Sequence, residues 1–180
     1  MQALTLRRTQ LSVWVRVLGI ALFAVATALS ARVRVVLPFS PVPLTLQVLV
    51  VIASGLTLGA RDGLIAQALY LQAILLGAPA TAMGLGGPAA FLTPTAGYLL
   101  AFPAAALVAG WVSERGTLRA AWRGLGGLLG LVVIYAVGMA WLSAYVGGLG
   151  AAWKLGVVPF LAADALKVLV AVAGLSLRDR

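Results

Sequence analysis

Six apolar runs succeed one another along this chain, and most of its charge falls outside them, in the connecting and terminal segments. A hydrocarbon layer offers backbone N–H and C=O groups no partners, so runs of this kind must form helices that satisfy their own backbone. A water-soluble fold fails on composition. Of the residues, 63% are hydrophobic and only 9% are charged, where soluble domains carry about 25% charged residues. That much apolar surface cannot be hidden inside one compact domain of 180 residues. The expected fold is an all-α membrane protein, residues 1–180 forming one integral domain of six transmembrane helices in a single bundle. The spans fall at 13–29, 44–58, 64–76, 94–112, 125–145 and 159–177.

The connections are as informative as the spans. Arg7 and Arg8 precede the first run; they resemble a twin-arginine export signal, a reading set aside because further spans follow. Residues 30–43 hold Pro38, Pro41 and Pro43, a density that forbids a continuous helix. The second run is short, about 15 residues or roughly 22 Å, which suggests a start within the membrane beside a cavity. Gly59 to Gly63 reads as a tight turn, the arginine-bearing segment 113–123 as a loop, and Gly147 to Val158 as a glycine-rich loop. Pro94 fits the first turn of the fourth helix. Residues 77–93 carry no charge at all. A solvated loop would be more polar, so this one is expected to fold back over the bundle as a lid.

An even number of spans puts both termini on one side. Arg7, Arg8, Arg16, Arg61, Arg115, Arg119, Arg123, Arg178 and Arg180 then share that side, and only Arg32, Arg34 and Lys154 lie opposite. Lys and Arg concentrate in cytoplasmic segments, so the N- and C-termini are expected in the cytoplasm and the chain is expected to be multi-pass in the cell (plasma) membrane. The same bias accounts for the net charge of +9 without a nucleic-acid partner, because the basic residues are scattered over short loops.

Cysteine and histidine are absent. That removes disulfides, thiolate nucleophiles and the commonest metal ligand and general base. No phosphate loop, zinc-protease motif or nucleophile elbow occurs, and Gly84-Leu85-Gly86-Gly87-Pro88 lacks the strand–helix setting of a dinucleotide site. Neither an enzyme, nor a metal site, nor a cofactor held by this chain is expected. A channel would want rings of polar groups, and an ion-coupled porter several intramembrane acids with an internal repeat. Neither pattern is visible.

Within the sixth run, Asp164 and Lys167 stand three residues apart and share a helix face. Either one alone in hydrocarbon costs roughly 2.5–3.5 kcal/mol, so the pair must face another helix or a cavity. Two readings stay open: a salt bridge that fixes helix register, or a binding site. In the orientation above, Asp164 lies about five residues, roughly 8 Å, below the outer end of its helix. The proline-rich, uncharged and glycine-rich loops share that side, which points to an outward-facing pocket for a small molecule. Gln47 is open between an amide bonded to a neighbouring helix and a ligand contact. Ala24 and Ala28 form a small-xxx-small pair on the first helix, open between packing inside the bundle and docking another membrane subunit. Gly126 and Gly130 offer a further close-packing face.

Four segments together carry a resemblance to a known family. They are Pro41-Val42-Pro43-Leu44-Thr45-Leu46-Gln47; Tyr70-Leu71 through Gly77-Ala78-Pro79; Gly86-Gly87 with Pro94-Thr95-Ala96-Gly97-Tyr98-Leu99; and Pro159-Phe160-Leu161-Ala162-Ala163-Asp164-Ala165-Leu166-Lys167. Over nearly its whole length the chain resembles the BioY family, the biotin-specific substrate-binding membrane subunits (S components) of energy-coupling factor transporters. It departs from the family pattern Gly-Pro-Thr-Gly-Gly-Tyr at Thr93 and Ala96. The resemblance implies six helices, a pocket near the outer face capped by outer loops, and biotin as the ligand. It also implies a transmembrane coupling subunit, docked through Ala24 and Ala28, and two ATPase subunits that use the ATP. On this reading the substrate-binding candidates are Asp164, Lys167, Gln47, Thr45, Tyr98, Thr95, Gly86 and Gly87. The ureido ring of biotin offers two N–H donors and a carbonyl acceptor; Asp164 can accept from the donors, and Lys167 can donate to the carbonyl or to the valerate carboxylate. Arg32, Arg34, Lys154 and water stay open as the holder of that carboxylate. The alternatives are an S component of the same architecture for another vitamin, and a biotin transporter that works alone.

Overall fold

A computed structural model describes residues 13–116 and 118–178 as α1 (Val13–Ser30), α2 (Gln47–Leu58), α3 (Ala60–Leu75), α4 (Ala96–Ser113), α5 (Arg119–Val146), α6 (Leu149–Gly156) and α7 (Leu161–Arg178). Single 3-10 turns at Pro88–Leu92 and Val158–Phe160 lead into α4 and α7. A short antiparallel pair, β1 (Arg34–Val35) and β2 (Leu44–Thr45), places Arg34 opposite Thr45 and Val35 opposite Leu44. Arg7 and Arg8, like Arg180, lie outside the described residues.

The bundle is built on α4 and α5, which make its most extensive contact. Glycine makes the closeness possible. A Cβ on Gly126 would stand 2.5 Å from the Ala109 carbonyl oxygen, and one on Gly130 would stand 2.9 Å from that of Ala105. Gly126 and Gly130 thus form the close-packing face expected of them, and its partner is α4. Around this pair, α2 and α3 lie against α4, α1 lies against α2 and α3, and α7 closes the ring against α2 and α5.

Polarity is distributed inside out. On α1, Trp14 is 80% exposed and Leu18 69%, while Ala24, Thr27 and Ser30 are buried. Gln47, Ser54, Gln67 and Asp164 are buried as well. An aliphatic shell around a polar interior is unstable in water and stable in lipid. Val13–Ser30, Ala96–Ser113, Arg119–Val146 and Leu149–Leu177 are each long and apolar enough to cross a membrane, and Gln47–Leu58 is a shorter apolar helix. The chain is an all-α, multi-pass membrane protein.

Several boundaries differ from the sequence reading. Gly59 alone breaks the chain between α2 and α3, at φ +88°, so Ala60 to Gly63 form the first turn of α3 rather than a turn of their own. Leu44 and Thr45 belong to β2, and α2 is only 12 residues long. Pro94 lies in a turn before α4. The segment read as an arginine loop is partly helical, since α5 begins at Arg119 and runs 28 residues, about 42 Å. That exceeds a hydrocarbon core of about 30 Å. Arginine is a good helix former, so charge there marks where the helix leaves the apolar layer, not where it ends. The glycine-rich loop contains α6, set off from α5 by Gly147 at φ +85° and Gly148 at φ +120°. Burial of Ala152 against the bundle supports eight residues that would not hold a helix alone.

Candidate functional site

The N-terminal turn of α7 brings Asp164 into the bundle, where it is 3% exposed. One turn on, Lys167 Nζ donates to Asp164 Oδ1 at 2.5 Å and to the backbone carbonyl of Thr45 at 2.6 Å. The hydroxyl of Tyr135, on α5, donates to Asp164 Oδ2 at 2.7 Å. Both carboxylate oxygens are therefore held, from two helices, and the ammonium is held in turn by β2. A buried ion pair contributes little net stability, yet loss of one partner leaves a buried charge uncompensated, at about 3–5 kcal/mol.

Beside this cluster opens a cavity of about 710 Å³, the open space at its mouth included. Asp164, Lys167 and Tyr135 form one polar wall. Thr45 contributes from β2 and Gln47 from the first residue of α2; Thr95 contributes from just before α4 and Tyr98 from its first turn. Leu99, Phe102, Ile134 and Phe160 supply the apolar surface. The proline-rich segment adds Val42 and Pro43, and the uncharged segment adds Thr81, Met83 and Leu85. This uncharged segment folds back on the bundle, with Ala80, Thr81 and Ala90 buried. The Trp141 Nε1 and Tyr145 hydroxyl groups of α5 pin its end by donating to the carbonyls of Thr93 and Leu92, each at 2.9 Å.

Gln47 is 3% exposed; its Nε2 donates to the Tyr70 hydroxyl at 2.7 Å, and Tyr70 donates to the Ala80 carbonyl at 3.1 Å. Tyr98 donates to the Gly156 carbonyl at 2.9 Å. Its ring sits where a Cβ on Gly138 would come within 2.3 Å, and its hydroxyl where one on Gly156 would come within 2.1 Å. Tyr98 is thus wedged between α5 and α6 and has no proton left for a ligand; it gives the cavity its ring. Thr95 lies 3.2 Å from Thr93, hydroxyl to hydroxyl.

The remaining candidates fall elsewhere. Gly86 and Gly87 do not line the cavity. A Cβ on Gly86 would meet the Gly77 carbonyl oxygen at 2.4 Å, and the Gly87 N–H donates to the Ile74 carbonyl at 2.7 Å. The two glycines press the uncharged segment onto the end of α3. Ala24 is buried and Ala28 half-buried against the core of the bundle, so they pack internally and do not form an outward docking face. The outward face of α1 is aliphatic and aromatic. Arg32 is tied to the Pro79 carbonyl, Arg34 lies 3.7 Å from the Met83 sulfur, and Lys154 is exposed on α6; none of the three lines the cavity. Tyr135 escaped the sequence reading. A phenol midway along an apolar span needs a hydrogen-bond partner, and that signal was available.

Residues 5–179 match the BioY family. The chain is 42% identical over 153 residues to a probable biotin transporter BioY of Pyrococcus horikoshii, covering 85% of this chain and 89% of that one. It is 38% identical to the biotin transporter BioY of Thermotoga maritima, over 75% of this chain and 79% of the other, and 38% identical to that of Rhizobium etli, over 84% and 86%. Its structure superimposes with a TM-score of 0.83 on the crystal structure of the S-component for biotin from an ECF-type ABC transporter, at 25% identity, covering 92% of this chain and 91% of the other. A family match across almost the full length, together with this shared fold, makes the chain a member of the BioY family, a family of transporters.

Proposed function

We propose that this protein is the biotin-binding membrane subunit of a biotin uptake system, and that the cavity beside Asp164 is its biotin site. The observation that carries the reading is the cluster of buried Asp164 with half-buried Lys167 and Tyr135, opening on a void. A bridge serving only to set helix register would need no void. Biotin complements the wall: a ureido N–H donates to Asp164, Lys167 donates to its carbonyl or valerate, and the fused ring packs on Phe102, Leu99 and the ring of Tyr98. Thr45, Gln47 and Thr95 supply further polar contacts.

On this reading α1 to α5 and α7 are six spans of a plasma-membrane protein with cytoplasmic termini. The cavity faces outward, and α6, β1–β2 and the uncharged segment cap it. A transmembrane coupling subunit and two ATPases supply the energy; this chain offers binding and no catalysis. Docking through Ala24 and Ala28 would require α1 to shift from its place on the bundle, so that contact belongs to another conformation.

Saturable binding of radiolabelled biotin to the detergent-purified chain tests the claim, with thiamin, riboflavin and folate as competitors. Biotin alone should compete. Folded protein without saturable binding, or a different vitamin displacing the label, overturns the assignment. Linkage gives a second readout: biotin at 100 times its Kd should stabilise the wild type by about 2.7 kcal/mol and leave Asp164→Asn unmoved. Uptake by cells expressing this chain alone, against cells that also express an energy-coupling module, decides whether partners are needed.

A further inference from the structure

We propose that Tyr70 fixes the polarity of Gln47, so that the amide presents its carbonyl oxygen to the cavity and selects ligands with an N–H donor at that position. The inference rests on the cavity being the biotin site. Proton counting sets the direction of each bond. The Ala80 carbonyl can only accept, and a phenol has a single proton. The Tyr70 proton therefore goes to Ala80, at 3.1 Å. The 2.7 Å contact between Gln47 and Tyr70 must then be a donation from Gln47 Nε2. At the other end, the Thr45 hydroxyl receives the Gln47 backbone N–H at 3.3 Å and turns its own proton to Gln47 Oε1 at 3.4 Å.

The two ends of the amide lie in different surroundings. Tyr70 and Ala80 are absent from the cavity lining, while Thr45 is part of it. The amine end is thus turned away, and the carbonyl end lies on the cavity side. Its oxygen holds one long hydrogen bond and can accept another. Tyr70 is 1% and Gln47 3% exposed, so water does not compete to turn the amide over. A free glutamine offers donor or acceptor as required; this one is committed. With Asp164 it makes two acceptors, facing the single cationic donor Lys167, and a cyclic urea carries the complementary two N–H groups and one carbonyl. Tyr70 never touches the ligand and acts as a positioning residue.

The test is discrimination rather than affinity, measured with biotin and with biotins methylated on one or the other ureido nitrogen. Wild type should reject both methylated forms. In Tyr70→Phe the amide is free to turn, so rejection of one of them should fall at least tenfold. A merely structural Tyr70 would lower all affinities together, and rejection ratios within threefold of wild type for both analogues overturn the proposal. Gln47→Leu removes the amide itself and should show the same tenfold fall; unchanged ratios there overturn the proposal even where Tyr70→Phe does not purify folded. Wild type that fails to bind biotin at all defeats the site assignment instead, a result distinct from normal biotin binding with unmoved ratios.

Discussion

The polar cluster around Gln67 and the one around Asp164 differ in what lies beside them. Gln67, Thr27 and Ser54 are each 0% exposed. Gln67 Nε2 donates to Thr27 Oγ1 at 3.2 Å and to Ser54 Oγ at 3.0 Å, while the two hydroxyls donate back to the carbonyls of Phe23 and Val51 at 2.8 and 2.7 Å. The group is neutral, closes on its own partners, joins α1, α2 and α3, and does not line the cavity beside Asp164. The cluster of Asp164, Lys167 and Tyr135 is charged and forms a cavity wall. Hydrogen-bonded polar groups inside one bundle thus serve opposite ends. Polarity inside a membrane bundle does not mark a site by itself; polarity with hydrogen-bonding capacity facing a void does.

The comparison predicts that substitutions in the second cluster act on binding. The largest effect belongs to Asp164→Ala, which should weaken biotin binding more than 100-fold, over about 2.7 kcal/mol. Equilibrium binding to the purified variant checks it, and an affinity within threefold of wild type removes Asp164 from the site. Tyr135→Phe keeps the ring and the charge pair but frees Asp164 Oδ2 from its 2.7 Å donor. A carboxylate no longer held on both oxygens loses pre-organisation, and biotin affinity should fall about tenfold, near 1.4 kcal/mol. An unchanged affinity would mean that Lys167 alone suffices to aim the carboxylate.

Much of this contrast was legible in the sequence, and the rest was hidden for physical reasons. Asp164 and Lys167 announce themselves because two charges in an apolar run have no cheap alternative to facing each other or a cavity. Gln47, Thr45, Thr95 and Tyr98 do line that cavity, and their motif segments singled them out. Tyr135 carries no charge, and its partner lies 29 residues away on another helix, so spacing says nothing of it. Ala24 and Ala28 show that a small-xxx-small pair reveals a close approach without naming the helix that approaches. The same pattern at Gly126 and Gly130 was readable only as packing, which is what it is. Gly86 and Gly87 belong to a motif near the site but serve chain reversal, a distinction that depends on carbonyl positions in Gly77 and Ile74. Helix α6 stayed hidden because its stability comes from tertiary burial of Ala152, and local propensity carries no trace of it.

The neutral cluster gives the smallest effect and the sharpest control. Gln67→Leu is close to isosteric and removes both donors to Thr27 and Ser54, but these hydroxyls keep their bonds to the carbonyls of Phe23 and Val51. Hydrogen bonds between membrane helices contribute about 0.6 kcal/mol on average and up to about 1.7 kcal/mol. The variant should therefore lose stability within that span, measured by unfolding in detergent, while biotin affinity stays within threefold of wild type. Gln67 is on α3 one turn before Tyr70, the residue that holds Gln47, so a change there has a short route to the cavity wall. A drop in affinity as large as that of Tyr135→Phe would show the two clusters to be coupled through α3, and the division between a closed structural network and an open binding one would have to be given up.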